Sequence, residues 1–231
     1  MKLTQLLERL KYEVIQGNDK IEVTELINDS RKVSEGSVFV CITGAVSDGH
    51  QYIEEVAAKG AAAVIVEKEV EAPEGLTVIR VEDTRYALAL MSAAYFRYPA
   101  EKLKVIGITG TKGKTTTTYM VKSILEGVGH KVGLIGTIEA IIGEKCIPAN
   151  NTTPESYTIQ KYFAEMVEAG CDSVVMEVSS QGLMLHRTAG IPFEIGIFTN
   201  LGEDHIGPNE HKDFEDYKRC KGLLFKQCKI G

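Results

Sequence analysis

The fold of this chain is decided by the stretch Lys104-Val105-Ile106-Gly107-Ile108-Thr109-Gly110-Thr111-Lys112-Gly113-Lys114-Thr115-Thr116. It reads as a short apolar strand, a turn rich in glycine and lysine, and the start of a helix. Gly110 and Gly113 allow the backbone to wrap closely around an anion, so several N–H groups and the positive end of the helix converge on it. Lys114 adds a full positive charge, and the Thr115 hydroxyl can hold a magnesium ion. The motif predicts a loop that binds the phosphates of ATP, with Mg²⁺.

This loop is a variant of the common phosphate-binding pattern, which has a glycine where this chain has Ile108. A helical pattern follows it and supports the interpretation, because helix and loop must adjoin for the dipole to face the phosphates. The apolar residues at helical spacing are Met120, Val121, Ile124 and Leu125, and Gly127 and Gly129 offer a stop. A glycine-rich turn with a surface lysine is the alternative.

The composition excludes several classes of protein. The 231 residues are 44% hydrophobic, which is enough for folded cores, and the net charge of −6 argues against a general nucleic-acid binder. Apolar runs are shorter than the ~20 residues of a membrane span. The N-terminus lacks the apolar core of a signal peptide, and the five cysteines form no CxxC pair. The sequence predicts a cytoplasmic monomer with reduced thiols and no nucleic-acid or membrane partner.

The chain divides by pattern into two predicted domains, 1–97 and 98–231. In the first, short β-like runs at 24–28, 38–42, 62–66 and 77–81 alternate with helical patterns near 51–59 and 85–96, which is typical of a small mixed α/β domain. In the second, apolar runs at 104–109, 131–136, 173–178 and 195–199 are separated by helix-length segments. That spacing predicts a doubly wound, mostly parallel sheet.

Polar residues follow the carboxyl ends of three of these predicted strands, where ligands collect in such sheets. Glu177 ends an apolar strand, and a carboxylate there is costly unless it is paired. Magnesium beside the nucleotide is one partner, and a structural salt bridge is the alternative. His205 follows the next strand, either as a metal or phosphate ligand or as an exposed turn histidine. His50, His130 and His211 are interpreted as turn histidines of the latter kind.

A lysine lies on the apolar stripe of a helix predicted to begin near Asp213. The stripe contains Phe214, Tyr217, Leu224 and Phe225, and Lys221 lies among them. Burial lowers a lysine pKa, and a neutral amine can take up carbon dioxide as a metal-binding carbamate. The alternative, which spacing alone favours, is that the stem packs and the ammonium reaches water.

Two polar turns are ambiguous on local grounds. In Asn151-Thr152-Thr153-Pro154, Thr153 is predicted as a helix cap and Pro154 as a residue of the first helical turn. The segment Asn28-Asp29-Ser30-Arg31 contains residues that form turns for local reasons.

Taken in order, these motifs resemble the Mur ligases over nearly the whole chain. The residues that carry the resemblance are 110–116, Asn151-Thr152-Thr153-Pro154, Met176-Glu177-Val178-Ser179-Ser180, His186-Arg187, 200–205 and Cys220-Lys221, with Asn28-Asp29-Ser30-Arg31 and Asp48-Gly49-His50. The resemblance implies ATP-driven amide formation on a UDP-N-acetylmuramoyl-dipeptide: the D-glutamate carboxylate is phosphorylated, and the amine of an incoming amino acid displaces phosphate. The sequence leaves open whether that amino acid is meso-diaminopimelate or L-lysine.

The resemblance also implies roles for individual residues. Those that bind ATP are Gly110, Thr111, Lys112, Gly113, Lys114, Thr115 and Thr116. Those implied as catalytic are Lys114, Glu177, His205 and Lys221, and those implied to hold magnesium are Thr115, Glu177, His205 and a carbamylated Lys221. Ser30 is implied to contact the uridine end of the substrate. Thr152, Thr153, Ser179 and Arg187 are implied to hold its muramoyl-dipeptide end.

The chain departs from the family at two places. Leu185 stands where members often have glutamine, and the chain stops at Gly231, where members continue through the sheet and a third domain. We therefore expect the 231-residue chain alone not to ligate. The alternatives are a non-catalytic module that binds the UDP-muramoyl nucleotide and another ATP-dependent amide ligase, such as a folylpolyglutamate synthetase. Residues 1–97 argue against the latter.

Overall fold

The computed structural model describes residues 1–44, 47–204, 206–208 and 210–229. The chain folds into two compact units, Met1–Tyr95 and Phe96–Gly231. In the described part, the helices are all too short or too polar to cross a membrane.

The described residues of the first unit form a five-stranded sheet and three α-helices. Its elements are α1 (Leu3–Leu6), β1 (Glu13–Gln16), β2 (Leu26–Ile27), β3 (Val38–Val40), α2 (Ile53–Ala58), β4 (Ala63–Val66), β5 (Thr77–Arg80) and α3 (Thr84–Tyr95). The strand order is β1-β5-β4-β3-β2, and only the β1–β5 pair is antiparallel. Helices α2 and α3 and strands β2 to β5 lie where the sequence predicts them. The sequence interpretation missed α1 and β1, which are short and carry little periodicity.

The second unit is a six-stranded, mostly parallel sheet. Its elements are β6 (Lys104–Thr109), α4 (Lys114–Gly127), β7 (Val132–Ile135), β8 (Glu139–Ile142), β9 (Lys145–Pro148), α5 (Ser156–Glu168), β10 (Ser173–Glu177), α6 (Ser180–Met184), β11 (Ile195–Phe198) and α7 (Phe214–Lys226). The order is β11-β6-β10-β7-β8-β9, with β8 and β9 joined to β7 as an antiparallel hairpin. Together the two units confirm the predicted α/β fold, a small mixed unit followed by a phosphate-loop sheet.

Helices cover both faces of this sheet, as its double winding requires. On one face Val121 and Leu125 of α4 pack on Ile106, Ile108 and Val175. The opposite face is covered by α5 and by Leu224 of α7. Gly107 of β6 allows α7 to approach closely, because a Cβ there would lie 2.8 Å from Leu224. The close packing brings α7 to the strand that feeds the phosphate loop.

Three predictions about the helices and connections of this unit are wrong. A hairpin and a helix, not one helix-length segment, connect β7 to β10, and the first strand of that hairpin, Glu139–Ile142, alternates in burial. Phe225, predicted to lie on the buried stripe of α7, is exposed. Thr153 and Pro154 do not start a helix, since α5 has Glu155 at its N-cap and begins at Ser156.

Candidate active site

The phosphate loop connects β6 to α4 and depends on two glycines with positive φ. Gly110 has φ +145°, and a Cβ there would lie 2.0 Å from the Thr199 hydroxyl. Gly113, with φ +84°, is the N-cap of α4, whose first residue is Lys114. Side chains are excluded at the first position by contact and disfavoured at the second by conformation. The backbone is thereby free to face an anion at the start of a helix of 14 residues.

Hydrogen bonds from the segment after β11 hold this loop. The Lys112 amide donates to Asn200 Oδ1 at 2.9 Å, and Asn200 Nδ2 donates to the Lys112 carbonyl at 3.0 Å. The Thr111 amide donates to the Asn200 carbonyl at 2.9 Å. Lys112 Nζ lies 2.9 Å from Asp204 Oδ2. Asn200 thus acts as a template for the loop, a role that the sequence alone signals only by its place after a strand.

Lys114 turns back over the loop. Its Nζ donates to the Gly110 carbonyl at 2.9 Å and to the Thr111 carbonyl at 3.2 Å. Burial lowers the pKa of Lys114, and the nearby carboxylate of Glu177 opposes that shift. The ammonium is therefore held by neutral carbonyls, which a phosphate can replace as stronger, charged acceptors.

Glu177 ends the central strand β10, and its carboxylate is bound by threonines from two other elements. The side chain is 1% exposed. Its Oε2 accepts from Thr115 Oγ1 at 3.0 Å and from Thr137 Oγ1 at 3.1 Å, and its Oε1 accepts from the Thr137 amide at 2.9 Å. Gly136 makes the room, since a Cβ there would lie 2.5 Å from Oε1. The sequence interpretation missed Thr137 and Gly136.

The chemistry of these donors fits magnesium. A buried carboxylate and the Thr115 hydroxyl are hard oxygen ligands of the kind that Mg²⁺ prefers. Among the described residues, the hydrogen-bond partners of the carboxylate are hydroxyl and amide groups, not a lysine or an arginine. The site therefore offers a negative charge that a cation can balance.

Lys221 is buried beside the same loop. It is 1% exposed, its Nζ donates to the Gly110 carbonyl at 2.8 Å, and it lies 4.4 Å from the centroid of the Tyr217 ring. Burial, and then the positive charge of Lys114, lower the pKa of Lys221 to about 8. The interpretation of Lys221 as a lysine whose ammonium reaches water is wrong. Its carbamylation stays a prediction.

A second group of residues surrounds the turn between β10 and α6. Thr153 is 1% exposed; its hydroxyl donates to the Glu177 carbonyl at 3.0 Å and accepts from the Ser179 amide at 2.9 Å. Arg187 donates to the Thr153 carbonyl at 2.9 Å and pairs with Glu155 at 2.6 Å. Its Nε is buried without a hydrogen-bond partner among the described residues. Arg187 Nε therefore lacks a protein acceptor, whereas the Thr153 hydroxyl is already engaged by backbone.

A cavity of about 170 Å³ joins the two groups of residues. Lys114 lines it from the phosphate loop, and Thr152 and Ser179 line it from the other side. The Thr152 hydroxyl also lies 3.0 Å from that of Thr137, which contacts Glu177. The structure thus brings together most of the predicted phosphate, metal and dipeptide residues of this unit. Thr116 lies outside this group, exposed in the first turn of α4.

Ser30 belongs to the other unit and has a cavity of its own. It is the first residue of a short 3₁₀ turn, after Asp29, whose carboxylate accepts from the Arg31 amide at 3.1 Å. The adjoining cavity has a volume of about 520 Å³, and Phe39 and Tyr52 line it together with Ser30. An aromatic and polar lining of this kind suits a nucleobase.

The histidines differ from their sequence interpretation. His205 lies outside the described residues, so its predicted role as a metal ligand stays a prediction. His50 is 8% and His211 is 1% exposed, so the expectation of exposed turn histidines is wrong for both. His50 contacts Asp48, and His211 contacts Asp216 and Ser180. Their burial depends on contacts that local sequence does not reveal.

Comparison with known proteins places this geometry in a family. A family model described as the Mur ligase middle domain matches residues 108–231, and a second, described as the Mur ligase family catalytic domain, matches residues 22–96. The UDP-N-acetylmuramoyl-L-alanyl-D-glutamate--2,6-diaminopimelate ligase of Clostridium perfringens strain 13 is 50% identical over 227 residues, which are 98% of this chain and 46% of that protein. Ligase 1 of the same name from Clostridium acetobutylicum is also 50% identical, over 229 residues, with 99% and 47% covered.

A solved structure agrees with these relatives. The structure of a UDP-N-acetylmuramoyl-L-alanyl-D-glutamate--2,6-diaminopimelate ligase superposes with a TM-score of 0.82 at 25% identity and covers 99% of this chain and 46% of that one. The chain thus spans about half the length of the relatives it matches. Because the middle-domain model alone covers more than half of its residues, the chain belongs to the Mur ligase family.

Proposed function

We propose that the full-length protein carrying this chain is an ATP-dependent ligase of peptidoglycan synthesis. Its substrates are UDP-N-acetylmuramoyl-L-alanyl-D-glutamate and 2,6-diaminopimelate, the two compounds in the names of the relatives. Those names favour diaminopimelate over the L-lysine that the sequence left open. The predictions of a monomer in the cytoplasm stay predictions.

The observation that carries the proposal is the position of Glu177 between the phosphate loop and the turn that follows β10. Thr115 binds its carboxylate from the loop, and the Ser179 turn begins two residues after it. Lys114 and Ser179 line one cavity. A nucleotide phosphate and a substrate carboxylate can therefore lie next to each other, close to the buried carboxylate of Glu177.

The chain's residues would act by positioning and by charge. Lys114 and the backbone amides of the loop would hold the phosphates of ATP, and the positive charge of Arg187 would attract the anionic dipeptide end. The D-glutamate carboxylate oxygen attacks the γ-phosphorus, ADP leaves, and an acyl phosphate forms. The amine of diaminopimelate then adds to the acyl carbon and loses a proton, and inorganic phosphate leaves. Such a reaction needs no protein nucleophile.

Thr115 and Glu177 would hold magnesium, with His205 and a carbamylated Lys221 as the proposed ligands of a second ion. Magnesium bound there would neutralise charge on the transferring phosphoryl group. The uridine end is assigned to the cavity at Ser30.

The proposal is tested by assaying the full-length protein with ATP, Mg²⁺, the UDP-muramoyl-dipeptide and either diaminopimelate or L-lysine. We expect equal amounts of ADP and tripeptide product with diaminopimelate, detected by mass spectrometry, and little with L-lysine. A tetrahydrofolate substrate with glutamate serves as the control for a folylpolyglutamate synthetase and should give no product. Ligation of L-lysine alone, or of the folate, would contradict the assignment.

A non-catalytic binding module is the second candidate, and the separate cavity at Ser30 favours it for the first unit. Isothermal titration with the UDP-muramoyl-dipeptide, followed by an ATP hydrolysis assay, distinguishes the two. Binding without ATP turnover in the full-length protein would support the module over the ligase.

A further inference from the structure

A chain of hydrogen bonds beside the candidate active site involves three side chains that the proposed function does not use. The Ser180 hydroxyl lies 2.9 Å from His211 Nε2, and His211 Nδ1 lies 3.2 Å from Asp216 Oδ2. Ser180 is the first residue of α6, and Asp216 lies in the first turn of α7. One imidazole therefore bridges two helices that follow different strands of the sheet.

The partners of the ring differ in chemistry. A carboxylate only accepts hydrogen bonds, so His211 Nδ1 donates to Asp216, and the Ser180 hydroxyl is the partner of Nε2. Asp216 is kept ionised by Arg219, whose guanidinium donates to Oδ1 at 2.7 Å and lowers the pKa of Asp216. Each polar atom of the imidazole thus has a partner, at a residue that is 1% exposed.

The same helix α7 contacts the phosphate loop. The Tyr217 hydroxyl lies 3.0 Å from the Thr111 hydroxyl, and Lys221 donates to the Gly110 carbonyl. The ring of His211 lies 5.2 Å from that of Tyr217. Tyr217 and Lys221, one helical turn apart on α7, therefore contact the phosphate loop. His211 connects the same helix to the chain segment Ser179–Ser180.

We propose that His211 is a positioning residue: it holds the turn Ser179–Ser180 on α7 and so fixes the distance between the dipeptide side of the site and the phosphate loop. This inference rests on the proposed function. Loss of the imidazole should loosen the turn more than the loop, because Asn200 and Thr199 hold the loop independently. His211 and Ser180 both line the cavity that Lys114 and Ser179 share, so a shift of the turn changes that cavity directly.

Two other uses of these atoms are disfavoured by their surroundings. Serine, histidine and aspartate in this order also occur in hydrolases, but Ser180 is only 4% exposed. His211, Asp216 and Cys220 carry possible metal ligands within 4.8 Å of one another. However, the Arg219 guanidinium already lies on Asp216 and 3.4 Å from Cys220 Sγ, where it would repel a cation.

The first experiment tests whether His211 holds the Ser179–Ser180 turn on α7, by hydrogen–deuterium exchange of the full-length protein. We expect amides of 179–184 to exchange about tenfold faster in His211→Ala, because a buried hydrogen bond is lost. Ser180→Ala, which removes one oxygen and is the safer variant for folding, should act in the same direction. His130→Ala is the matched control, since His130 Nδ1 also pairs with an aspartate, Asp172, at 3.0 Å but on the surface. Unchanged exchange at 179–184 in both test variants would overturn the proposal, whether or not the wild type ligates.

The second experiment tests whether the contacts of His211 affect substrate binding in the ligation reaction. We expect His211→Ala to raise the KM for the UDP-muramoyl-dipeptide about tenfold and the KM for ATP less than about twofold. His211→Gln, whose amide oxygen can accept from Ser180, should recover part of the loss. The double variant with Ser180→Ala should cost less than the sum of the two single changes. A lower melting temperature with both KM values unchanged would show a merely structural role and overturn the proposal.

Two further measurements test the two disfavoured uses, a nucleophilic Ser180 and a metal site at His211, Asp216 and Cys220. Labelling of Ser180 by a fluorophosphonate probe, lost in His211→Ala, would show a nucleophile instead. A cobalt–thiolate absorption band that disappears in Cys220→Ser would show a metal site. A wild-type protein that binds and ligates nothing would contradict the proposed function alone, since the exchange experiment needs no ligand.

Discussion

The phosphate loop, residues 110–116, and helix α7, Phe214–Lys226, bring two lysines to the same carbonyl oxygen. Lys114 Nζ lies 2.9 Å and Lys221 Nζ lies 2.8 Å from the oxygen of Gly110. The two sites differ in solvent access, since Lys114 is half-buried and lines a cavity whereas Lys221 is fully buried. The first lysine can meet a ligand directly, whereas the second is 1% exposed.

This difference shows that two lysines with similar hydrogen bonds can have different charged groups near their ammonium groups. Lys114 gains an anion whenever a phosphate binds. Lys221 lies near the charge of Lys114, which contributes to lowering its pKa, and the carboxylate of Asp204 opposes that shift. A carbamate on Lys221 would replace this repulsion with attraction, because the amine bonds to carbon dioxide, releases a proton and becomes an anion. Substitutions at the two lysines should therefore differ in size and in pH dependence.

The largest effect is expected at Lys221. In the full-length protein, Lys221→Arg should lower kcat for ligation by on the order of a thousandfold, since arginine stays positive and takes up no carbon dioxide. Lys221→Ala should lose as much and recover partly with added short carboxylic acids. The matched control is Lys218→Arg, on the exposed face of the same helix. Full activity of Lys221→Arg would rule out the carbamate.

The second prediction concerns pH and the unmodified chain in buffer free of carbon dioxide. The pKa of Lys221 falls from 10.5 to about 8 on folding, so between these values the unfolded state binds more protons than the folded one. The free energy of unfolding should therefore rise with pH in this window, relative to Lys221→Met, by about 3 kcal/mol at most. Urea denaturation of both proteins at pH 7 and pH 10.5 measures it. If the difference in free energy of unfolding between the two proteins did not change with pH, the lowered pKa of Lys221 would be contradicted.

A smaller effect is expected at Lys114. Lys114→Ala should weaken ATP binding by about 2 kcal/mol, because it removes the charge that can move from loop carbonyls to the phosphates. Isothermal titration measures this change. Lys122→Ala on the same helix, where Lys122 pairs with Glu126, is the control. Equal ATP affinity of wild type and Lys114→Ala would leave the glycine-rich turn with a surface lysine as the better interpretation.

The smallest effect is expected at Gly136, which touches neither lysine. A Cβ there would lie 2.5 Å from Glu177 Oε1, so Gly136→Ala should displace the carboxylate and raise the Mg²⁺ concentration for half-maximal activity severalfold, or about 1 kcal/mol. Gly127→Ala is the control, because a Cβ there would have no atom from outside its own helix backbone within 4 Å. An unchanged magnesium requirement, with only a lower melting temperature, would assign Glu177 to structure rather than to metal binding.

The sequence by itself determined the doubly wound sheet and the phosphate loop. Strand, turn and helix follow each other within 104–127, and the physical signals are local: apolar periodicity, glycines at positive φ and a lysine at a helix start. Glu177 was found for the same reason, since a carboxylate at the end of an apolar strand stands out in one dimension.

Only the tertiary structure decided which other groups surround these residues. Thr137 and Asn200 reach the site from other connections of the sheet, and their local sequence does not show which groups they contact. His211 looked like a turn histidine because burial depends on Ser180, 31 positions earlier in the chain. The burial of Lys221 likewise follows from the close approach of α7 to Gly107. Desolvation and hydrogen bonding arise from neighbours in space, and a single sequence lists only neighbours along the chain.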